Sequence, residues 1–331
     1  MNRKIWIGLA LVALSYAELL IPKDWAAINH FAAGFPYSGA VALFVFGVIF
    51  LGEGLAERFG AVPLLSLARG GFWRALRFAV IGAATGLILE IFGQWIGKLW
   101  FYAYYPTWFY WPSLVPSFLL YWVMIVESYI GAKAVLDHFI KRGGQEPADQ
   151  PVGHYPFEPA LYGTLGVAGG FVFIFCTIRA LTSYFFNGGY TFNALTESSY
   201  GPPLVYIMLA CVGLWAVAEA LLYAAQKPSL LRSLLHGYFV PVLAVLVAAV
   251  VTSVVWESQN AMVDYWVYTH WPWPDLRVFN VQLSVLLSWP LHYLVLVSLP
   301  AAIVPAWAPA FFARPRPAAV SGRSKKTKHY D

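Results

Sequence analysis

Charge is what this sequence has least of. Asp, Glu, Lys and Arg make up 11% of its 331 residues, where soluble domains carry about 25%. Hydrophobic residues make up 60%. That is more apolar surface than a water-soluble chain of this length can enclose, so lipid is the expected solvent. The net charge of +5 lies mostly outside the apolar runs. It forms no basic stripe with a nucleic-acid motif, which excludes nucleic acid as a partner. Cysteine is equally scarce. Cys176 and Cys211 each lie inside an apolar run and belong to no CxxC or CxxCH pattern. This argues against a disulfide framework, a zinc site and c-type haem attachment, and both read as buried thiols. Walker loops, dinucleotide fingerprints, HExxH and GxSxG elbows are missing too. Their absence argues against an ATP-driven pump or a flavin enzyme, and neither cofactor nor metal is expected.

Long apolar runs are what the chain does have. A crossing needs about 20 apolar residues, and eight runs qualify, at 5–22, 36–56, 72–97, 112–135, 159–182, 202–225, 237–258 and 281–306. The expected fold is an all-α integral membrane protein of about eight transmembrane helices. Basic residues gather before the first run, at Arg58 to Arg77, at Lys141 and Arg142, at Lys227 and Arg232, and from Arg314 onward. All fall on one side, so the positive-inside rule places both termini in the cytoplasm of a bacterial-type inner membrane. Arg3 and Lys4 followed by an apolar run to Ser15-Tyr16-Ala17 also resemble a signal peptide. The run continues through Leu20 and Ile21, which favours a retained helix. A hydrophilic linker at 141–157 separates a first membrane unit, 1–140, from a second, 158–312. The basic tail, 313–331, is expected to touch anionic lipid.

The two units share a pattern. Trp100-Phe101-Tyr102-Ala103-Tyr104-Tyr105-Pro106 recurs as Trp266-Val267-Tyr268-Thr269-His270-Trp271-Pro272. Glu90 and Glu257 precede these segments, and Leu119-Leu120-Tyr121-Trp122 and Leu286-Leu287-Ser288-Trp289 follow them. Upstream stand Glu53 with Pro63 and Gly71, and Glu219 with Pro228 and Gly237. With four spans in each copy the copies share one orientation, so two parallel four-helix repeats should be related by an axis along the membrane normal. Spans two to four pair with six to eight; spans one and five are matched by position only.

Ionisable groups inside a bilayer usually face a bundle interior or a wet cavity. Glu90, Gln94 and Lys98 share one helix face, as do Glu257, Asn260 and Asp264, which suggests a common outward-opening cavity. The alternative is that these are helix-end residues bonded across the bundle or to headgroup water. Glu53 and Glu219 sit near inner helix ends, where solvated or salt-bridged roles suffice. Glu127 and His292 occupy corresponding helices at unaligned positions, as expected of a ligand-binding pair where one half has specialised. A satisfied packing histidine is the plainer alternative. The aromatics at 100–112 and 265–273 suit an interfacial belt. They would equally serve as walls for a flat or polyunsaturated ligand, with Trp100, Tyr102, Trp266 and Tyr268 in the repeated register. Gly82-x-x-x-Gly86, Gly93-x-x-x-Gly97 and Gly166-x-x-x-Gly170 mark close helix packing.

The order Glu, then Trp-x-Tyr, then Pro, then a helix with Leu-Leu-x-Trp resembles the membrane carotenoid cyclase and carotenoid hydratase families. The resemblance covers about residues 86–125 and 253–292. It implies an isoprenoid substrate, Glu90 and Glu257 as functional acids, and Trp100, Tyr102, Trp266 and Tyr268 as pocket walls. The cyclases carry paired acids at the start of the helix after the loop. This chain has Pro112-Ser113-Leu114-Val115-Pro116 and Phe279-Asn280-Val281-Gln282 there, which turns the likeness toward hydratases or toward fold alone. The leading expectation is therefore acid–base chemistry by Glu90 and Glu257 on an apolar, isoprenoid-like lipid. An accessory subunit of a larger membrane complex, a homo-oligomer, and a proton- or cation-coupled transporter are the competing readings.

Overall fold

The computed structural model describes residues 2–21, 35–102, 107–140, 155–186, 202–269 and 271–313. The linker at 141–154, the tail from Arg314, Lys23, His270 and residues 103–106 lie outside the described residues, as do the side chains of 35–38, 107–115, 183–186 and 202–203. The first unit contains α1 (Arg3–Leu20), α2 (Phe35–Arg58), a 3-10 turn (Leu64–Ala68), α3 (Phe72–Glu90) continued by a π turn (Ile91–Ile96), β1 (Trp100–Tyr102) and α4 (Thr107–Phe139). The second contains α5 (Glu158–Phe186), α6 (Pro202–Ala224), α7 (Leu230–Leu235), α8 (Val240–Val263), β2 (Trp266–Tyr268), β3 (Arg277–Val278), β4 (Val281–Gln282) and α9 (Leu283–Ile303), then a 3-10 turn (Pro305–Trp307) and α10 (Ala308–Phe312).

Seven of these helices are long and apolar enough to cross a membrane, and the chain is an all-α membrane protein. The remaining long helix, α1, lies antiparallel along α2. Asn2 bonds to the Gly54 carbonyl at one end, and the Glu18 carboxyl rests against Gly39 at the other. The expected run at 237–258 is shifted: Gly237, at φ 75°, ends the short α7, and α8 begins only at Val240. Gly71 holds φ 125° at the start of α3. The two repeated glycines thus turn the chain into equivalent helices through backbone angles that side-chain-bearing residues resist.

Helix pairing repeats between the units. α1 packs on α2 as α5 packs on α6, α2 on α4 as α6 on α9, and α3 on α4 as α8 on α9. Across the units α4 meets α8 and α9 meets α3. Spans one and five, unrelated in sequence, dock in the same way. A Cβ on Gly47 would meet the Gly8 carbonyl and the Val12 amide; one on Gly213 would meet the Gly169 carbonyl and the Phe173 amide. The close α5–α6 contact therefore runs through Gly169 and Gly213, with Gly166 beside Ala220 and Gly170 nearly clear. Bare backbone lets two apolar helices approach where lipid offers no hydrophobic drive to do so.

The repeated Trp-x-Tyr segments are strands. β1 and β2 pair antiparallel, with Trp100 opposite Tyr268, Phe101 opposite Val267 and Tyr102 opposite Trp266. Each residue faces the repeat-equivalent of its neighbour's counterpart, so the ribbon maps onto itself about the Phe101–Val267 pair. Aromatic and β-branched residues suit a pleated strand, and pairing satisfies backbone groups that lipid cannot.

At the opposite end of the bundle, buried glutamates hold the short connectors. Glu127 Oε1 accepts from the Leu65 amide at 3.1 Å, and Glu219 accepts from the Leu230 and Leu231 amides at 3.2 and 3.1 Å. Glu53 pairs with Lys4 at 2.8 Å. Gly213→Ala should destabilise the protein by about 1–3 kcal/mol, because the new methyl meets backbone that cannot step aside cheaply. Gly163→Ala, in open space, should be neutral; thermal unfolding in detergent distinguishes the two.

Candidate active site at an aromatic cavity between the repeats

A cavity of about 320 Å³ lies among α2, α3, α4, α8, α9 and the ribbon, within the range of small-molecule sites. Six residues singled out from the sequence reach its wall: Glu90, Trp100, Tyr102, Trp266, Tyr268 and His292. Their placement follows from local backbone choices. α3 widens into a π turn directly after Glu90, a device that re-aims side chains within a helix. Gly93 in that turn is overlain by the Trp100 ring, which a Cβ there would strike. Gly86 likewise lets α4 approach, with the Phe118 carbonyl 2.7 Å from where its Cβ would be.

Each repeat makes the same polar contact. The Tyr102 hydroxyl donates to Glu90 Oε2 at 3.2 Å, and the Tyr268 hydroxyl donates to Glu257 Oε1 at 2.5 Å. The two acids differ in access. Glu90 borders the cavity, whereas Glu257 is fully buried behind Tyr268. Burial holds the Tyr268 phenol well above its usual range, and the adjacent Glu257 adds to the effect, so the hydroxyl remains a donor at any working pH.

Asn260 does not reach the cavity. It clamps the ribbon: Nδ2 donates to the Trp266 carbonyl at 3.0 Å, Oδ1 accepts from the Trp266 amide at 3.1 Å, and Nδ2 also approaches Glu257 Oε2 at 3.5 Å. Three further residues stand elsewhere than expected. Asp264 is exposed and ends α8 in a left-handed conformation, φ 50°, so the shared stripe stops before it. Gln94 lies within the π turn, off the cavity wall, because that turn departs from the four-residue stagger of an α-helix. Glu127 is spent on the connector at the other end of the bundle, far from a common site with His292.

Among the described residues of the second aromatic segment, 265–273, more rings turn inward than outward. Tyr265, Trp266 and Trp271 are buried, while Trp273 is exposed. Trp256 stacks on Trp266 with ring centres 5.4 Å apart. Trp256 and Tyr121 also line the wall and were not singled out. Tyr121 sits inside the repeated Leu-Leu-x-Trp element, and its place between two helices that each bring a glutamate could be seen only once α4 met α8. Its electrostatic neighbours are Tyr293, Glu257 and Glu90. Trp289, the repeated tryptophan of the second unit, lines the cavity, while its counterpart Trp122 is buried and donates to the Leu296 carbonyl at 2.9 Å.

Both units line the cavity, but it lies beside α2 and has no counterpart of its size beside α6 among the described residues. Val41, Ala42 and Val45 of α2 border it. Their repeat equivalents on α6 are Ile207, Met208 and Cys211. Ile207 and Cys211, with Phe92 and Phe173, leave a void of about 10 Å³, barely room for one water.

Chemically, the arrangement offers a carboxyl facing an apolar, ring-lined space, a phenol held by a second carboxyl, and an imidazole. No group of three or more His, Cys, Asp or Glu able to hold a metal occurs among the described residues. Asn260→Leu should cost about 1–3 kcal/mol by stranding the Trp266 backbone groups, whereas Asp264→Asn at the exposed helix end should change stability by less than about 0.5 kcal/mol; thermal unfolding of both variants checks this.

No protein-family model, curated protein or solved structure matches the chain.

Proposed function

We propose that this membrane protein binds a short isoprenoid, or the end of a longer one, in the aromatic cavity and transfers a proton to one of its double bonds. The observation that carries the proposal is the pair of repeat-related carboxyl–tyrosine hydrogen bonds at one ring-lined cavity. Glu90 in its acid form would give its proton to one alkene carbon. The π electrons form the new C–H bond, and the neighbouring carbon is left cationic between aromatic faces that stabilise positive charge. Loss of a proton to the Glu90 carboxylate then gives a rearranged alkene. Addition of water, with its spare proton returned to Glu90, gives an alcohol. Glu257 acts through Tyr268: it takes the phenol's single hydrogen bond, so the ring is held against the cavity with only oxygen lone pairs left to offer, and Glu257 does not itself touch the ligand.

The same reading places both termini in the cytoplasm of a bacterial inner membrane, with the cavity toward the outer side. Lipid and pigment profiling of cells with and without the protein should reveal one isoprenoid whose level depends on it. Glu90→Gln should lower its product at least about 100-fold, in line with the loss of a general acid. Unchanged profiles for wild type, Glu90→Gln and Glu257→Gln alike would remove the enzymatic reading. The native thiols are buried in membrane helices, so Val62→Cys and Asp275→Cys report orientation. An impermeant thiol reagent added to intact cells should label the second and spare the first.

A further inference from the structure

Besides Ser117 and Tyr265, two sets of polar groups stand on the cavity wall. Tyr102 and Tyr268 are committed to Glu90 and Glu257, and these four positions are the same in both repeats. The second set breaks the repeat. Tyr121 borders the cavity where the second unit has Ser288, whose hydroxyl is turned to the Val285 carbonyl at 2.7 Å. His292 borders it where the first unit has Ile125. Among the described residues no protein group bonds to His292 Nδ1, and the edge-on ring of Trp289, 6.0 Å away, offers it no hydrogen bond. Tyr121 has Glu90, Glu257 and Tyr293 for electrostatic neighbours, and its hydroxyl bonds to none of them. A buried polar group left without a partner costs about 1–3 kcal/mol; His292 Nδ1 is such a group, and the half-buried Tyr121 stands with His292 on the cavity wall.

We infer that the ligand carries an oxygen function, a hydroxyl or a carbonyl, which Tyr121 and His292 receive. The inference rests on the proposed isoprenoid site and narrows it: the substrate is an oxygenated isoprenoid and not a bare hydrocarbon. Tyr121 donates to the ligand oxygen, while the neutral imidazole either donates to a carbonyl or accepts from a hydroxyl. Apolar contact with the rings holds the chain, and the polar end sets which way it enters. That orientation decides which double bond lies against Glu90.

Five tryptophans line the cavity, so binding is readable as a change in intrinsic fluorescence. The protein in nanodiscs is titrated with farnesol and with the matched hydrocarbon farnesene at equal membrane mole fractions. Farnesol should bind about tenfold tighter. Tyr121→Phe, which keeps the ring and removes only the hydroxyl, and His292→Phe should each shrink the preference to about threefold or less. Retention of the full preference in both variants would overturn the assignment of these residues. Equal binding of the two probes to the wild type would overturn the oxygenated ligand, leave the isoprenoid site standing and give Tyr121 and His292 to a bound water. Binding of neither probe would sink the inference and the isoprenoid reading together.

Discussion

A carboxyl group inside a bilayer must bring its hydrogen-bond donors with it, because lipid supplies none. This protein meets that demand twice with one device. A strand-borne tyrosine reaches back to a glutamate near the end of the preceding helix, and the strand is held by the same strand of the other repeat. Neither half can build the contact alone. Without β2, the backbone of β1 has no partner; without the ribbon, the tyrosines have no fixed position from which to donate. The inter-repeat ribbon therefore solves the solvation of two buried acids and, in doing so, erects the wall of a cavity.

Duplication explains the frame and asymmetry explains the site. Glycine contacts seat α1 on α2 and α5 on α6 at equivalent positions. The cavity, however, lies beside α2, while the equivalent place beside α6, at Ile207 and Cys211, keeps a void of only about 10 Å³. A two-fold arrangement would confront a ligand with two identical acids. Differences at a few positions instead give one acid that borders the cavity and one that works through its tyrosine. The glutamates at the other end of the bundle belong to the frame. Glu127 and Glu219 hold connector amides in place, which accounts for buried charge without assigning it chemistry.

The membrane class, the long helices and the duplication were legible in the sequence because each is a regular pattern. Apolar runs must match the thickness of lipid, and a copied unit keeps its landmarks. Trp100, Tyr102, Trp266 and Tyr268 could be picked out from their repeated register, though not as paired strands, since three residues are too short for a period to show. Gln94 and Asp264 misled because helical spacing was extended through a π turn and past a helix end. Tyr121 and Trp256 were invisible as site residues because an aromatic on an apolar helix looks alike whether it faces lipid, core or cavity.

Sequence alone thus determined the solvent of this protein, its helical class, its two-fold plan and the identity of the repeated acids, since those depend on composition and on order along the chain. Tertiary structure decided which acid borders the cavity, which glutamates merely hold connectors, and that α1 docks on α2 as α5 docks on α6. Those properties depend on how helices distant in sequence approach one another, and that approach is set by backbone contact at glycines and by side-chain volume.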